Sequence, residues 1–211
     1  MSNKEVMVVR KDILLKDNFQ GFRPANVIDY ERIILENFRY MKKGEAEINF
    51  EYKQPIAYTL LVNPTTKKVF AFQRAREDKH YTEKRLQGKW SIGLGGHIER
   101  VDHQERGQPQ SRNPIYASQL RELLEEVIIE GKISRPKVIG YVNSDADEVS
   151  QVHFGVLYIV ETDATRAILL DKEIARGDFR FVPELEKMLT TDIEVEEWSK
   201  IAINVLKSHL V

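Results

Sequence analysis

Residues 114–129 read PIYASQLRELLEEVII, and this segment limits the fold more than any other. Asn113 just before it is a good helix N-cap, and proline is favoured at the first helical position. At ~100° per residue, with Glu122 placed at 0°, Glu125 lies at about 300° and Glu126 at about 40°. Tyr116, Leu120, Leu123, Leu124 and Val127 fall between about 100° and 200° on the same count. The spacing predicts one helix over 114–129, with an apolar face for a core and three carboxylates on the nearly opposite face. Like charges at i,i+3 and i,i+4 cost ~0.2–0.5 kcal/mol per pair. Arg121 can offset one pair through its own i,i+4 contact with Glu125. A divalent cation would offset more, because oxygen-only ligands suit Mg²⁺ or Mn²⁺. A merely solvated acidic face is the other reading of the same pattern.

Strand-like segments surround this helix. IAYTLLV at 56–62 is a short apolar run closed by the turn signal Asn63-Pro64. Residues 68–74 alternate as a second strand would, and WSIGL at 90–94 is a third. Residues 137–142 and 152–160 read as two more, separated by an acidic turn at 143–148. Short strands are expected at 168–170 and 179–181, and helices at 183–189 and 194–206, the last with a capping box from Thr191 and Glu194. Toward the N-terminus, residues 6–9 suggest an edge strand. Residues 26–41 have helical spacing, and Lys42, Lys43 and Gly44 read as a helix end. Strands, one helix, strands and terminal helices make a mixed α+β order without βαβ alternation, so no doubly wound sheet is expected.

Composition removes several function classes. Cysteine is absent, which excludes disulfides, thiolate metal sites and a cysteine nucleophile. The formal net charge is -1, so no global positive field gathers nucleic acid or anionic lipid. The longest mainly apolar run, 152–160, is half the ~18 residues of a membrane span. No secretory signal is visible in residues 1–17. A soluble cytoplasmic protein without membrane or nucleic-acid partners is the expectation.

Upstream of the acidic helix stands Gly95-Gly96-His97-Ile98-Glu99. Paired glycines let backbone approach a ligand closely. Gly96 followed by five residues reaches Asp102. With the wholly polar stretch 103–113 removed, seven residues lead to Arg121-Glu122-Leu123-Leu124-Glu125-Glu126. This pattern resembles the signature of the Nudix hydrolase family, interrupted by an 11-residue insertion. The chain departs from the signature in having Asp102 where glutamate is usual and Ile128 where a glycine normally ends the helix. It also lacks the proline usual before the glycine pair. With Ile128 in that place, the helix is expected to run on toward Glu130.

The resemblance implies a Nudix-type α/β/α sandwich around a mixed sheet over residues 51–211. Residues 1–50 would then be a strand-plus-helix extension. It further implies hydrolysis of a diphosphate linkage in a nucleoside diphosphate derivative or similar small molecule, with Mg²⁺ or Mn²⁺ as cofactor. By the same resemblance Glu122, Glu125, Glu126 and the Gly96 carbonyl would hold metal. Arg121 would orient a glutamate, with Asp102 as its partner, or Glu99 or Glu105 in place of Asp102. Gly95 and Gly96 would meet substrate, and a homodimer is a family expectation; apart from the resemblance, His97 and Arg74 are candidates to meet substrate phosphates, although an exposed loop histidine and a charged loop are the commoner readings. One of Glu122, Glu125 and Glu126, or Asp145, Asp147 or Glu148 from the later turn, would be the general base, with a solvated turn the better reading of the last three. His153, Trp90 and Trp198 read as packing residues. Two alternatives stay open: a catalytically inactive Nudix-fold ligand-binding or sensor module, and an isomerase resembling isopentenyl-diphosphate isomerases, which use a cysteine this chain lacks.

Overall fold

The computed structural model describes residues 4–76, 84–103 and 113–210. Among these residues the helices and strands follow in the order β1 (Glu5–Arg10), α1 (Lys11–Leu14), β2 (Gly21–Pro24), α2 (Tyr30–Asn37), β3 (Arg39–Lys42), α3 (Lys43–Ala46), β4 (Tyr52–Asn63) and β5 (Lys68–Arg74). Then come β6 (Trp90–Ser91), β7 (Gly93–Leu94), α4 (Pro114–Glu126), β8 (Val127–Ile129), β9 (Lys137–Asn143), α5 (Glu148–Val152) and β10 (His153–Glu161). The chain closes with β11 (Ala167–Leu169), β12 (Ile174–Phe181), α6 (Val182–Leu189) and α7 (Glu197–Leu210). The mixed α+β class is as expected. The chain divides into two compact units. The first comprises Met1–Tyr58, Gly95–Glu122 and Val138–Tyr158; the second comprises Thr59–Leu94, Leu123–Lys137 and Ile159–Val211. Strands β4 and β10 and helix α4 each contribute residues to both.

In the first unit, β1 is not the edge strand its position suggested. It pairs antiparallel with β3 (Val6↔Met41) and with β4 (Val9↔Lys53). Its side chains alternate between two cores. Val6 and Val8 pack with Ala46 and Tyr52. Met7 and Val9 pack with Leu14, Tyr30, Ile34, Ala57 and Phe154. A strand buried on both faces reads as a continuous apolar run rather than an alternating one, and each such side chain contributes ~1.5–3 kcal/mol of burial. The larger core is organised by aromatics: Tyr30 lies 5.0 Å from Tyr141 and 5.3 Å from Phe154, ring centre to ring centre.

The helix expected over 26–41 is shorter. Asp29 accepts a hydrogen bond from Arg32 N and starts α2, and the chain turns extended at Phe38. Residues 39–42 then become β3, because the free side of β1 needs backbone partners more than the helix needs another turn. Lys42, Lys43 and Gly44 do not end a helix; Lys43 begins α3. A further feature of this unit is Lys53, which is 0 % exposed and donates to Asp145 Oδ1 (3.2 Å) and the Ser150 carbonyl (2.9 Å).

In the second unit, β5 pairs with β12 (Phe70↔Phe179), with the end of β4 (Val62↔Val69) and with β6 (Phe72↔Ser91). Phe70, Phe72, Leu94, Leu123, Val127, Val160 and Phe179 form its core. The helix expected to reach Ile129 stops at Glu126. Val127, Ile128 and Ile129 instead form β8, paired with Leu169, Ile168 and Ala167 of β11. A run of β-branched residues favours this extended pairing. Leu170 N donates to the Glu126 carbonyl at 2.9 Å, which satisfies an acceptor that the missing helical turn would have used. Leu124, placed on the apolar arc by spacing, is 64 % exposed. The stretch 90–94 splits into two short strands. The capping box expected at Thr191 and Glu194 does not form: α7 begins later, and Thr191 Oγ1 donates to the Met188 carbonyl. A glutamate does cap α6, where Glu184 accepts from Phe181 N.

Candidate active site

The first unit contains the glycine loop and the start of the acidic helix. Gly95 has φ +150°, and a Cβ there would sit 1.9 Å from the Ala57 carbonyl oxygen. No side chain fits, so this position requires glycine on both conformational and steric grounds. A Cβ on Gly96 would fall 2.5–2.8 Å from the carboxylate atoms of Glu122. The backbone of the loop therefore lies directly against that carboxylate. The loop is fixed by Met7 N, which donates to the Ile98 carbonyl at 2.8 Å, and by an antiparallel bridge between His97 and Ile56.

Arg121 joins these pieces. Its Nε donates to Asp102 Oδ1 (2.7 Å) and its Nη2 to Asp102 Oδ2 (3.0 Å), a bidentate pair. Nη1 donates to Glu122 Oε1 at 2.8 Å, and Nη2 also reaches the His97 carbonyl at 3.1 Å. Burial acts to lower the Arg121 pKa, but the carboxylates of Asp102 and Glu122 hold it well above the ordinary value. Asp102, 2 % exposed, further accepts from Glu99 N at 2.7 Å. Asp102 is thus the carboxylate that meets Arg121. Glu99 pairs with Lys4 instead, and Glu105 lies outside the described residues. Asn113 Oδ1 accepts from Ile115 N and Tyr116 N, so the helix starts where the sequence places it.

The second unit holds the end of the same helix. Glu125 is exposed, while Glu126 is 6 % exposed. Both follow Glu122 by a single helical turn, on the i,i+3 and i,i+4 positions of α4. Arg74, also in this unit, is engaged in an ion pair with Glu196 (Nε to Oε1, 2.5 Å) and lies over the Phe72 ring. Trp90 is flanked by the guanidinium groups of Arg176 and Arg180, and Trp198 is buried.

The acidic turn before β10 is occupied by structural work. Asp145 pairs with Lys53 and Lys11, and Asp147 caps α5 by accepting from Ser150 N. Both aspartates of the turn thus have partners, while Glu148 is exposed.

A second cluster in the first unit was not legible as a set. Nε2 of His97 lies 3.2 Å from Nε2 of His153 and 3.3 Å from Oε1 of Glu47; Nε2 of His153 lies 3.6 Å from the same oxygen. Burial, opposed by Glu47 and assisted by Lys43 and His153, pushes His97 down to about 4. Burial alone would raise Glu47, but the two imidazoles hold its carboxyl well below the usual range. His97 was expected to face substrate; its ring faces this cluster, and only its carbonyl reaches Arg121. No spacing rule links residues 47, 97 and 153, so the sequence by itself gives no sign that Glu47 and His153 belong together.

No protein-family profile matches the chain. It is 27% identical over 215 residues to Protein YmaB of Bacillus subtilis (strain 168), with 98% of each chain covered. Among solved structures it is similar to Tm1382, provisionally named a Nudix hydrolase, at TM-score 0.75 and 25% identity over 97% of this chain and 99% of that one. A Nudix hydrolase from Alicyclobacillus acidocaldarius matches at TM-score 0.53 and 11% identity, covering 75% of this chain and 91% of that chain. A bifunctional NMN adenylyltransferase/ADP ribose pyrophosphatase from Francisella tularensis, solved with AMP and manganese, matches at TM-score 0.51 and 13% identity, covering 89% of this chain and 51% of that one. The last two likenesses concern the fold alone. In fold the chain is similar to Nudix hydrolases, and the residues from Gly96 to Glu126 resemble that family's signature.

Proposed function

We propose that this chain is a metal-dependent pyrophosphohydrolase acting on a diphosphate linkage in a nucleoside diphosphate derivative or a similar compound. The observation that carries the reading is the contact of the Gly96 backbone with the Glu122 carboxylate, braced by Arg121 and Asp102. A bend without a side chain facing a carboxylate leaves a carbonyl and carboxylate oxygens as the donor set. Such a set fits a hard divalent cation. Glu122, Glu125, Glu126 and the Gly96 carbonyl would hold Mg²⁺ or Mn²⁺. When bound, such a cation neutralises charge on the diphosphate and makes bound water a stronger acid.

The protein's own groups do the rest. Arg121 orients Glu122 through a charge-assisted hydrogen bond from Nη1 to Oε1. Glu125, exposed near the end of the helix, would accept a proton from the attacking water, with Glu148 of the later turn the other candidate. The bare backbone at Gly95 and Gly96 lets phosphate oxygens come close. Adenosine diphosphate ribose, named for the Francisella relative, is the first substrate to try. The experiment is a screen of diphosphate compounds with Mg²⁺ and Mn²⁺, run beside the Glu125→Gln variant. Cleavage that needs the metal and is lost in the variant supports the reading. Cleavage indifferent to both, or none of any compound, removes it.

A further inference from the structure

We propose a second metal site in the first unit, formed by Glu47, His97 and His153 and suited to a transition ion of the zinc class. It is independent of the diphosphatase reading, because it uses different side chains and a different kind of donor. Among the described residues, one ligand atom from each of these three lies within 4.8 Å of the others.

The separations carry the argument. Ligands at ~2.0–2.1 Å from a tetrahedral zinc ion stand about 3.3–3.4 Å apart along each edge. The three edges here are 3.2, 3.3 and 3.6 Å. The atoms therefore outline one face of a tetrahedron, with the fourth corner left for water or another donor, as in three-ligand zinc sites.

The ring orientation points the same way. Nδ1 of His153 lies 2.6 Å from the Val149 carbonyl. A carbonyl can only accept, so this nitrogen carries a proton, which leaves Nε2 as the nitrogen able to give a lone pair to a metal ion. Nε2 lies 3.2 Å from His97 Nε2 and 3.6 Å from Glu47 Oε1. An outer hydrogen bond that fixes the tautomer and turns the second nitrogen inward is the usual support of a metal-bound imidazole. Two imidazoles with one carboxylate favour zinc-class ions over magnesium, which prefers oxygen alone. Lys43, whose carbonyl accepts from Glu47 N at 3.0 Å, places a positive charge beside His97 and weakens any cation bound there. The three ligands come from the end of α3, the glycine loop and the start of β10, so a bound ion would tie the loop to both.

The test uses the full chain, stripped with chelator and titrated with Zn²⁺ in excess Mg²⁺. Co²⁺ serves as a visible-absorbing substitute that reports coordination geometry. The expected result is about one equivalent of zinc bound despite the magnesium, with a tetrahedral cobalt spectrum. Glu47→Gln and His153→Gln should each weaken binding by about 100-fold or more, beyond the effect typical of outer partners. Glu125→Gln should leave it unchanged. If His153→Gln fails to fold, wild type and the less buried Glu47→Gln decide the matter. Absence of zinc binding in wild type, displacement of zinc by magnesium, or full affinity in Glu47→Gln would overturn the site. None of these outcomes depends on whether a diphosphate is cleaved.

Discussion

The guanidinium of Arg121 holds both carboxylate oxygens of Asp102, at 2.7 and 3.0 Å, and the carboxylate is almost entirely buried. The aspartate thus fills the place where the family pattern has a longer acid. Removing Asp102 takes away the bidentate partner and leaves Arg121 with Glu122 and the His97 carbonyl. Asp102→Ala should cost about 1.5–3 kcal/mol of folding stability. Urea unfolding followed by circular dichroism measures this, and an unchanged midpoint would show the pair to be peripheral.

The two loop glycines should respond differently to the same small change. Gly95→Ala meets a backbone oxygen at 1.9 Å and a φ of +150°, and neither can yield cheaply. Strain and overpacking together should cost about 2–5 kcal/mol there. Gly96→Ala meets the end of a flexible side chain, Glu122. That variant should lose about 1 kcal/mol or less and keep its fold, while losing metal-dependent activity. Thermal melting combined with a diphosphate assay separates the two. Equal stability losses would contradict the steric account.

Lys53 supplies a pH test. Burial pushes its ammonium down to about 8, with Asp145 opposing, from an ordinary 10.5. Between these values the unfolded chain binds more protons than the folded one, so this residue makes stability rise with pH across that window. Below about 8 both states are protonated and its contribution is level. Comparison with Lys53→Met isolates the effect. The wild-type stability minus that of the variant should grow by on the order of 2 kcal/mol between pH 7.5 and 10. A constant difference would mean that the ammonium is not destabilised by burial.

Much of the fold was legible because periodicity and capping are local. Asn113, Pro114 and the apolar spacing locate the start of α4, and residues 68–74 alternate as the strand they form. What failed depended on partners distant in sequence. Val127–Ile129 leave the helix because Ala167–Leu169 offer a strand to pair with. Residues 39–42 become extended because β1 needs a second neighbour. At the site, the Arg121–Asp102 link was readable since signature spacing joins the two, whereas Glu47 meets His97 and His153 only through folding.

The most direct test of the account is diphosphate turnover by wild type, Glu125→Gln and Glu126→Gln, each with Mg²⁺ or Mn²⁺ and again with chelator. The account predicts metal-dependent turnover in wild type. It predicts a fall of about a thousandfold or more in each variant, equivalent to losing about 4 kcal/mol of transition-state stabilisation, with unfolding curves showing both still folded. Undiminished turnover in either folded variant, or turnover that persists in chelator, would contradict it.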